Sequence, residues 1–173
     1  MKFFHMADLH LGKKLLGEPL WKEQQYILSR VVAMSDEEKP EAVLLCGDIY
    51  DKSIPSSEAV GLLGWFLEEL SVRGIQTFLI SGNHDGAQRL QFASGILKKE
   101  GIHIAGTFKG GPEHIVLSDA FGPVHVWMLP FLRPGMLRPF AEEIPETYEE
   151  AVKTALHGAV LHREERNLLL AHQ

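Results

Sequence analysis

One cysteine in 173 residues, Cys46, leaves no internal disulfide available and fits a reducing, cytoplasmic setting. Long apolar runs are missing too: none approaches the roughly 20 residues that cross a bilayer. The N-terminus does not read as a signal peptide, because the short apolar stretch after Lys2 is interrupted by Asp8 and His10. Positive charge is in deficit, with 17 Lys and Arg against 23 Asp and Glu and a net charge of −6. No global field therefore draws the chain to nucleic acid, and any such contact must rest on a local patch, on bound divalent metals or on a partner. Repeats, linkers and low-complexity segments are also absent. What is left is the profile of one globular domain, 45% hydrophobic and 23% charged, long enough for a full core.

Three short apolar runs stand out, because each stops at a cluster of polar side chains. Phe3-Phe4-His5-Met6-Ala7 leads into Asp8-Leu9-His10; Ala42-Val43-Leu44-Leu45-Cys46 into Gly47-Asp48-Ile49-Tyr50-Asp51; and Thr77-Phe78-Leu79-Ile80 into Ser81-Gly82-Asn83-His84-Asp85. Their apolar, largely β-branched or aromatic composition predicts buried strands. Between them, residues 20–35 predict a helix with a partial stripe of Leu20, Ile27, Leu28, Val31 and Val32, and residues 13–19 a loop. Residues 56–72 predict a second helix, capped by Ser56, with Ala59, Leu63, Phe66 and Leu70 on one face and Leu62, Trp65 and Leu67 beyond it. A third helix is expected at 88–99, before a strand at 102–105. The order β-α-β-α-β-α-β is that of a parallel sheet covered by helices.

After Gly106 the pattern changes. Residues 114–117 and 124–129 predict an antiparallel hairpin with a long turn, hence a second sheet or an extension of the first. Thr147-Tyr148-Glu149-Glu150 is a capping-box signature, expected to open a helix to about Arg166 with an inner stripe of Tyr148, Val152, Ala155 and Ala159. A last strand, 167–171, delivers His172.

Asp8, His10, Asp48, Asn83 and His172 thus come from the C-terminal ends of predicted strands, the edge where ligands bind in α/β sheets. Oxygen and imidazole donors without thiolate suit manganese, iron or zinc. A carboxylate shared between two such ions gives a dinuclear centre that suits in-line hydrolysis of a phosphoester. His84 adds proton chemistry, and Asp85, if the two pair, would orient its imidazole.

The set Asp8-x-His10, Gly47-Asp48-x-x-Asp51 and Gly82-Asn83-His84-Asp85 resembles the calcineurin-like metallophosphoesterase superfamily. With Arg89-Leu90, Leu129-Pro130-Phe131-Leu132-Arg133-Pro134 and Leu170-Ala171-His172-Gln173, the resemblance narrows to its double-strand-break repair nucleases. It implies an α/β fold, a two-layer β-sandwich flanked by helices (α/β/β/α). It also implies two Mn(2+) ions, exonuclease and endonuclease action on double-stranded DNA in break and hairpin processing, an ATPase as partner, and a homodimer through helices at 56–72 and 88–99, with Trp65 as a candidate contact. Carried over by motif, Asp8 and His10 hold one metal, Asn83 and His172 the other, and Asp48 bridges them. His84 is the catalytic histidine, supported by Asp85.

In that family the pattern continues past His172 to a Gly-His-x-His turn that gives each metal one more ligand. Residues 1–173 are accordingly expected to form an incomplete nuclease domain, without that turn, the DNA-capping region or the ATPase-binding region, and with weakened metal binding and activity. Lys13, Lys14, Lys52 and Arg89 flank the motifs and are candidates for DNA phosphates. His5 reads as a satisfied core histidine, and His103, His114 and His125 as structural. His157 and His162, five apart on an expected helix, do not share a face. Rival functions are a phosphatase or small-molecule phosphodiesterase on the same fold, and an inactive metal-poor fragment. Asp85 with Arg89-Leu90 favours the nuclease.

Overall fold

The computed structural model describes residues 1–173. In chain order its strands are β1 (Phe3–Met6), β2 (Lys14–Leu15), β3 (Glu18–Pro19), β4 (Ala42–Cys46), β5 (Gln76–Ile80), β6 (Ile102–Ala105), β7 (Glu113–Asp119), β8 (Gly122–Met128) and β9 (Arg166–Leu170). The helices are α1 (Trp21–Glu38), α2 (Ser57–Val72), α3 (Ala87–Leu90), α4 (Ser94–Leu97) and α5 (Tyr148–Leu156). No helix is long and apolar enough to cross a membrane.

Successive side chains on a strand point to opposite faces, and the central apolar runs use both. Strands β1, β4, β5 and β6 form a parallel sheet in the order β1-β4-β5-β6. One face sends Val43, Leu45 and Leu79 to α1 and α2, where they pack with Leu28, Val32, Leu63, Phe66 and Leu70. The other face sends Ala42, Leu44, Cys46, Phe78 and Ile80 to a second sheet. That sheet, in the order β7-β8-β9, returns Leu117, Val124, Val126, Met128 and Leu170. The molecule is therefore a sandwich of two sheets with helices on the outer side of the first, as the resemblance implied. Burial on both faces is why β4 reads as an uninterrupted apolar run.

Several local expectations are corrected. The loop at 13–19 contains a small antiparallel pair, with Lys14 opposite Pro19 and Leu15 opposite Glu18. Helix α1 runs on to Glu38, ending at Lys39 in the left-handed region. Its buried stripe is Leu28, Val32 and Ser35, and Ile27 is exposed. The helix expected at 88–99 is broken into α3, α4 and a 3-10 turn, because Ala93 takes φ 59. The break frees Gln91, whose amide oxygen accepts from the backbone amides of Gly106 (2.7 Å) and Thr107 (3.2 Å).

The hairpin turn is short: Asp119 pairs directly with Gly122. The Thr147 capping box forms, but α5 stops at Leu156, just before His157-Gly158. It buries Ala151 and Ala155, with Val152 half-buried and Tyr148 exposed. His5 is exposed on the edge strand β1, so it is not a core histidine. Strand β9 lies parallel to β8, with Met128 opposite Leu170. Its entry is tied to the hairpin by Arg166, which with the Met1 amino group holds the Asp119 carboxyl well below the usual carboxylate range.

Candidate metal centre

The turns after β1, β4 and β5 leave the same edge of the parallel sheet, and two of them adopt backbone that side-chain-bearing residues rarely take. Asp8 (φ 56), His10 (φ 44) and Asp48 (φ 49) all lie in the left-handed region. Each such residue costs about 1–3 kcal/mol and persists only where its surroundings hold it, as in many active sites. Two glycines make the close approach possible. A Cβ on Gly47 (φ +81) would collide with the His172 ring, and one on Gly82 would collide with the Asp48 carboxylate and its backbone amide.

Hydrogen bonds pin these turns together. The amide of Asp8 donates to Gly47 O (3.1 Å), that of His10 to Asp48 O (2.9 Å) and that of Leu11 to Ile49 O (2.9 Å). Gln24, on α1, donates its amide group to Leu9 O (3.1 Å) and His10 O (2.7 Å) and accepts from the amide of Gly12 (3.1 Å). Asp85 accepts from the backbone amides of Tyr50 (2.8 Å), Gly82 (2.8 Å) and Ile49 (3.1 Å). Burial pushes its carboxyl above the usual range, partly opposed by these three bonds, and the Asp48 charge pushes the same way as burial.

The pairing of Asp85 with His84, expected from their adjacency, is not made. Neighbouring side chains on the turn diverge: Asp85 turns to the amides behind it. His84 Nδ1 instead donates to Asp51 O (3.1 Å), and the His84 backbone amide donates to Asp48 Oδ1 (3.0 Å).

The polar side chains converge on Asp48, which is almost completely buried. Its Oδ2 lies 3.5 Å from His172 Nε2, 3.7 Å from His10 Nε2 and 3.9 Å from His84 Nε2, while Asp8 Oδ1 is 3.8 Å from His10 Nε2. Two donor groups result, Asp8-Asp48-His172 and His10-Asp48-His84, with Asp48 in both. These spacings are too long for hydrogen bonds. They are close to the separation, about 3.4 Å, of neighbouring donors bound at about 2.1 Å to a tetrahedral ion. His172 Nδ1 donates to Cys46 O (2.9 Å), which leaves its Nε2 lone pair facing Asp48. An imidazole held through its other nitrogen is the usual support of a metal ligand. His10 Nδ1 is buried without a hydrogen-bond partner, 3.4 Å from Asp51 Oδ1. The residues present therefore fit two divalent ions.

Asn83 stands exposed on the turn, between Gly82 and His84. Two contributors are not marked as site residues by the sequence. Asp51 stands three places after Asp48, a visible position with no role attached to it; Gln24 leaves no signal, being one glutamine on a polar helix face. The basic candidates divide between two depressions. Lys14 and Lys52, with Asp51, line a cavity of about 530 Å³, and Arg89, anchored to Ser53 O (3.0 Å), lines another. Lys13 is exposed on the segment leading into the small hairpin.

Known proteins carry the same arrangement of sequence. The chain is 34% identical over 176 residues to the SbcD component of the nuclease SbcCD from Staphylococcus epidermidis (strain ATCC 12228 / FDA PCI 1200). That alignment covers 99% of this chain and 46% of the relative, so the chain spans about half the relative's length. The model of the calcineurin-like phosphoesterase family matches residues 1–148. That span includes every candidate ligand except His172, and the chain belongs to the calcineurin-like phosphoesterase family.

Proposed function

We propose that residues 1–173 form the metallophosphoesterase domain of an SbcD-type nuclease, which hydrolyses phosphodiester bonds of DNA with two manganese ions in the processing of double-strand breaks and hairpins. The observation that carries this reading is the buried Asp48 carboxylate shared by two donor groups. Asp8, His10, Asp48, Asn83 and His172 would hold the ions, whose donor set of oxygen and imidazole without thiolate suits manganese. When bound, the pair supplies Lewis-acid stabilisation of phosphate charge and acidifies water for attack.

The chain's own groups orient the reaction. His84 keeps its Nδ1 proton on Asp51 O, which leaves Nε2 as the nitrogen turned toward Asp48 Oδ2. Protonated, that nitrogen can donate to a phosphoryl oxygen or to the leaving oxygen. Asp85 sets the Asp48 turn in place from behind. Lys14 and Lys52 on one side and Arg89 on the other offer cations for DNA phosphates, a local patch in a chain of net charge −6. The relative's name supports an SbcC-type ATPase partner.

His84→Gln is expected to lower Mn-dependent cleavage of linear duplex DNA by about 10²–10⁴-fold, the usual contribution of a proton-transfer group. The companion substrate is a chromogenic phosphodiester. Hydrolysis of that diester without DNA cleavage, even with the ATPase partner present, would point to a small-molecule phosphodiesterase instead. The homodimer through 56–72 and 88–99 is part of the same proposal. Val60, Phe92 and Ile96 are exposed there, whereas Leu62 and Trp65 are half-buried against the helix-side core. Phe92→Asp with Ile96→Asp is expected to yield a sedimenting monomer; an unchanged dimer would remove this contact.

A further inference from the structure

The outer face of the second sheet, opposite the face packed on the first, carries four stacked rings. Trp127 and His114 lie 3.9 Å apart between centroids and 11° from parallel; His114 and His125 are 5.0 Å and 10°; His125 and His162 are 3.9 Å and 14°. His114 comes from β7, His125 from β8, and His162 from the turn before β9. The helix that would have carried His162 ends at Leu156, so the five-residue spacing from His157 has no bearing on its neighbours. Glu165 closes the group. Its Oε2 touches His125 Nε2 and lies 3.6 Å from His162 Nδ1.

The placement of protons shows what this arrangement lacks. His125 Nδ1 and His114 Nε2 are 2.8 Å apart, so one of the two must carry the hydrogen. If His125 Nδ1–H donates, a neutral His125 turns its Nε2 lone pair toward the Glu165 carboxylate. Two acceptors then face each other, and a cation is required between them. A proton could serve for those two atoms alone. A third donor, His162 Nδ1, converges on the same carboxylate oxygen, and one proton cannot bridge three donors. The donor atoms of His125, His162 and Glu165 all lie within 4.8 Å of one another. Desolvation, with the charges of His125 and His162, also holds His114 below the usual histidine range, which favours a neutral supporting ring.

We propose that His125 Nε2, His162 Nδ1 and Glu165 form a second metal site, separate from the Asp48 centre, for a first-row divalent ion of zinc type, with His114 supporting His125 through Nδ1. Two imidazoles and a carboxylate without thiolate are a donor set of that class, with water able to complete a tetrahedron. His114 plays the part that a carbonyl or carboxylate usually plays behind a metal-bound histidine. Trp127 shields the outer side of His114, and its indole N–H donates to Asn167 Oδ1 (3.1 Å), whose amide group in turn holds His162 O (2.8 Å). The site would tie β8 to the entry of β9. Because β9 ends at Leu170, two residues before His172, the ion would brace the strand that presents a ligand of the other centre.

The test is zinc binding to a chain carrying Asp8→Asn and Asp48→Asn, which disables the first centre, titrated against a chromogenic chelator. One equivalent of Zn2+ is expected, and adding His162→Ala or Glu165→Gln should weaken it at least tenfold. Both of those side chains are exposed, so neither change opens the core. Absence of the equivalent, or equal affinity in all three proteins, would overturn the site. In the otherwise unmodified chain, Zn2+ should raise the melting temperature more for wild type than for His162→Ala; equal shifts count against the proposal.

Discussion

Replacing Asp48 by asparagine is expected to reduce Mn-dependent phosphodiester hydrolysis by about 10³-fold or more while leaving the fold intact. Asparagine keeps an oxygen to accept from the His84 backbone amide, a bond that Oδ1 of Asp48 accepts at 3.0 Å, so the turn retains its hydrogen bond. What disappears is the charge common to both donor groups. Metal stabilisation of a phosphoryl transition state is worth several kcal/mol, and each 1.4 kcal/mol or so is a factor of ten in rate. The same substitution separates metal binding from folding. Without metal, the variant should be as stable as wild type or more so, because Asp48 and Asp85 carry like charges close enough to affect one another. With Mn(2+), the wild type should gain melting temperature and the variant should not. Steady-state kinetics and paired melts with and without Mn(2+) check both halves; a variant that still gains stability from Mn(2+) would show that Asp48 is not the shared ligand.

Loss of Asp85 should act through a different route. Asp85→Ala leaves the amides of Ile49, Tyr50 and Gly82 without their acceptor, in a part of the molecule where water has little access. An unpaired buried donor costs about 1–3 kcal/mol. Relief of the buried carboxylate's own desolvation offsets part of that for the three donors together, so the net destabilisation is expected near ~3 kcal/mol, measured by urea unfolding. Activity should fall with it, since the turn carrying Asp48 is released, and Mn(2+) affinity should fall in parallel. Asp85→Asn retains one acceptor oxygen but turns an NH2 toward amide donors, and should lie between the two. If Asp85 instead served His84 as its catalytic partner, the asparagine variant would alter the pH dependence of kcat and leave stability unchanged. That outcome would remove the clamp assignment.

The reversal of Asp85's role shows where local reasoning stops. Asn83, His84 and Asp85 are consecutive, and their types alone suggest one working unit. On a turn, consecutive side chains diverge, and what each meets depends on loops far away in the chain. Asp51 and Gln24 make the same point. The Asp51 carbonyl orients His84, and Gln24 braces the Asp8–His10 turn, yet neither contact has any trace in local pattern. The helix expected at 88–99 fails for a related reason. Its apolar content suggests continuity, but Gln91 is engaged by the end of β6, and the left-handed Ala93 breaks the helix there.

Most of the architecture is legible in the sequence, because apolar runs of strand length, glycine stops and a helix cap are signals carried by neighbouring residues. The parallel order of four strands, the Ser56 and Thr147 caps and the presence of a second sheet follow from such signals. So do the residue types that gather at one sheet edge, since strands of a parallel sheet end on the same side. Distances between those residues belong to the tertiary structure. Only the folded chain sets Asp48 against His10, His84 and His172, turns Asp85 away from His84, and stacks His114, His125 and His162 on a face where the sequence suggests unrelated histidines. The sequence by itself determined which chemistry is available and on which strand ends it stands. The tertiary structure decided which groups share a ligand, because donor convergence depends on contacts between segments far apart in the chain.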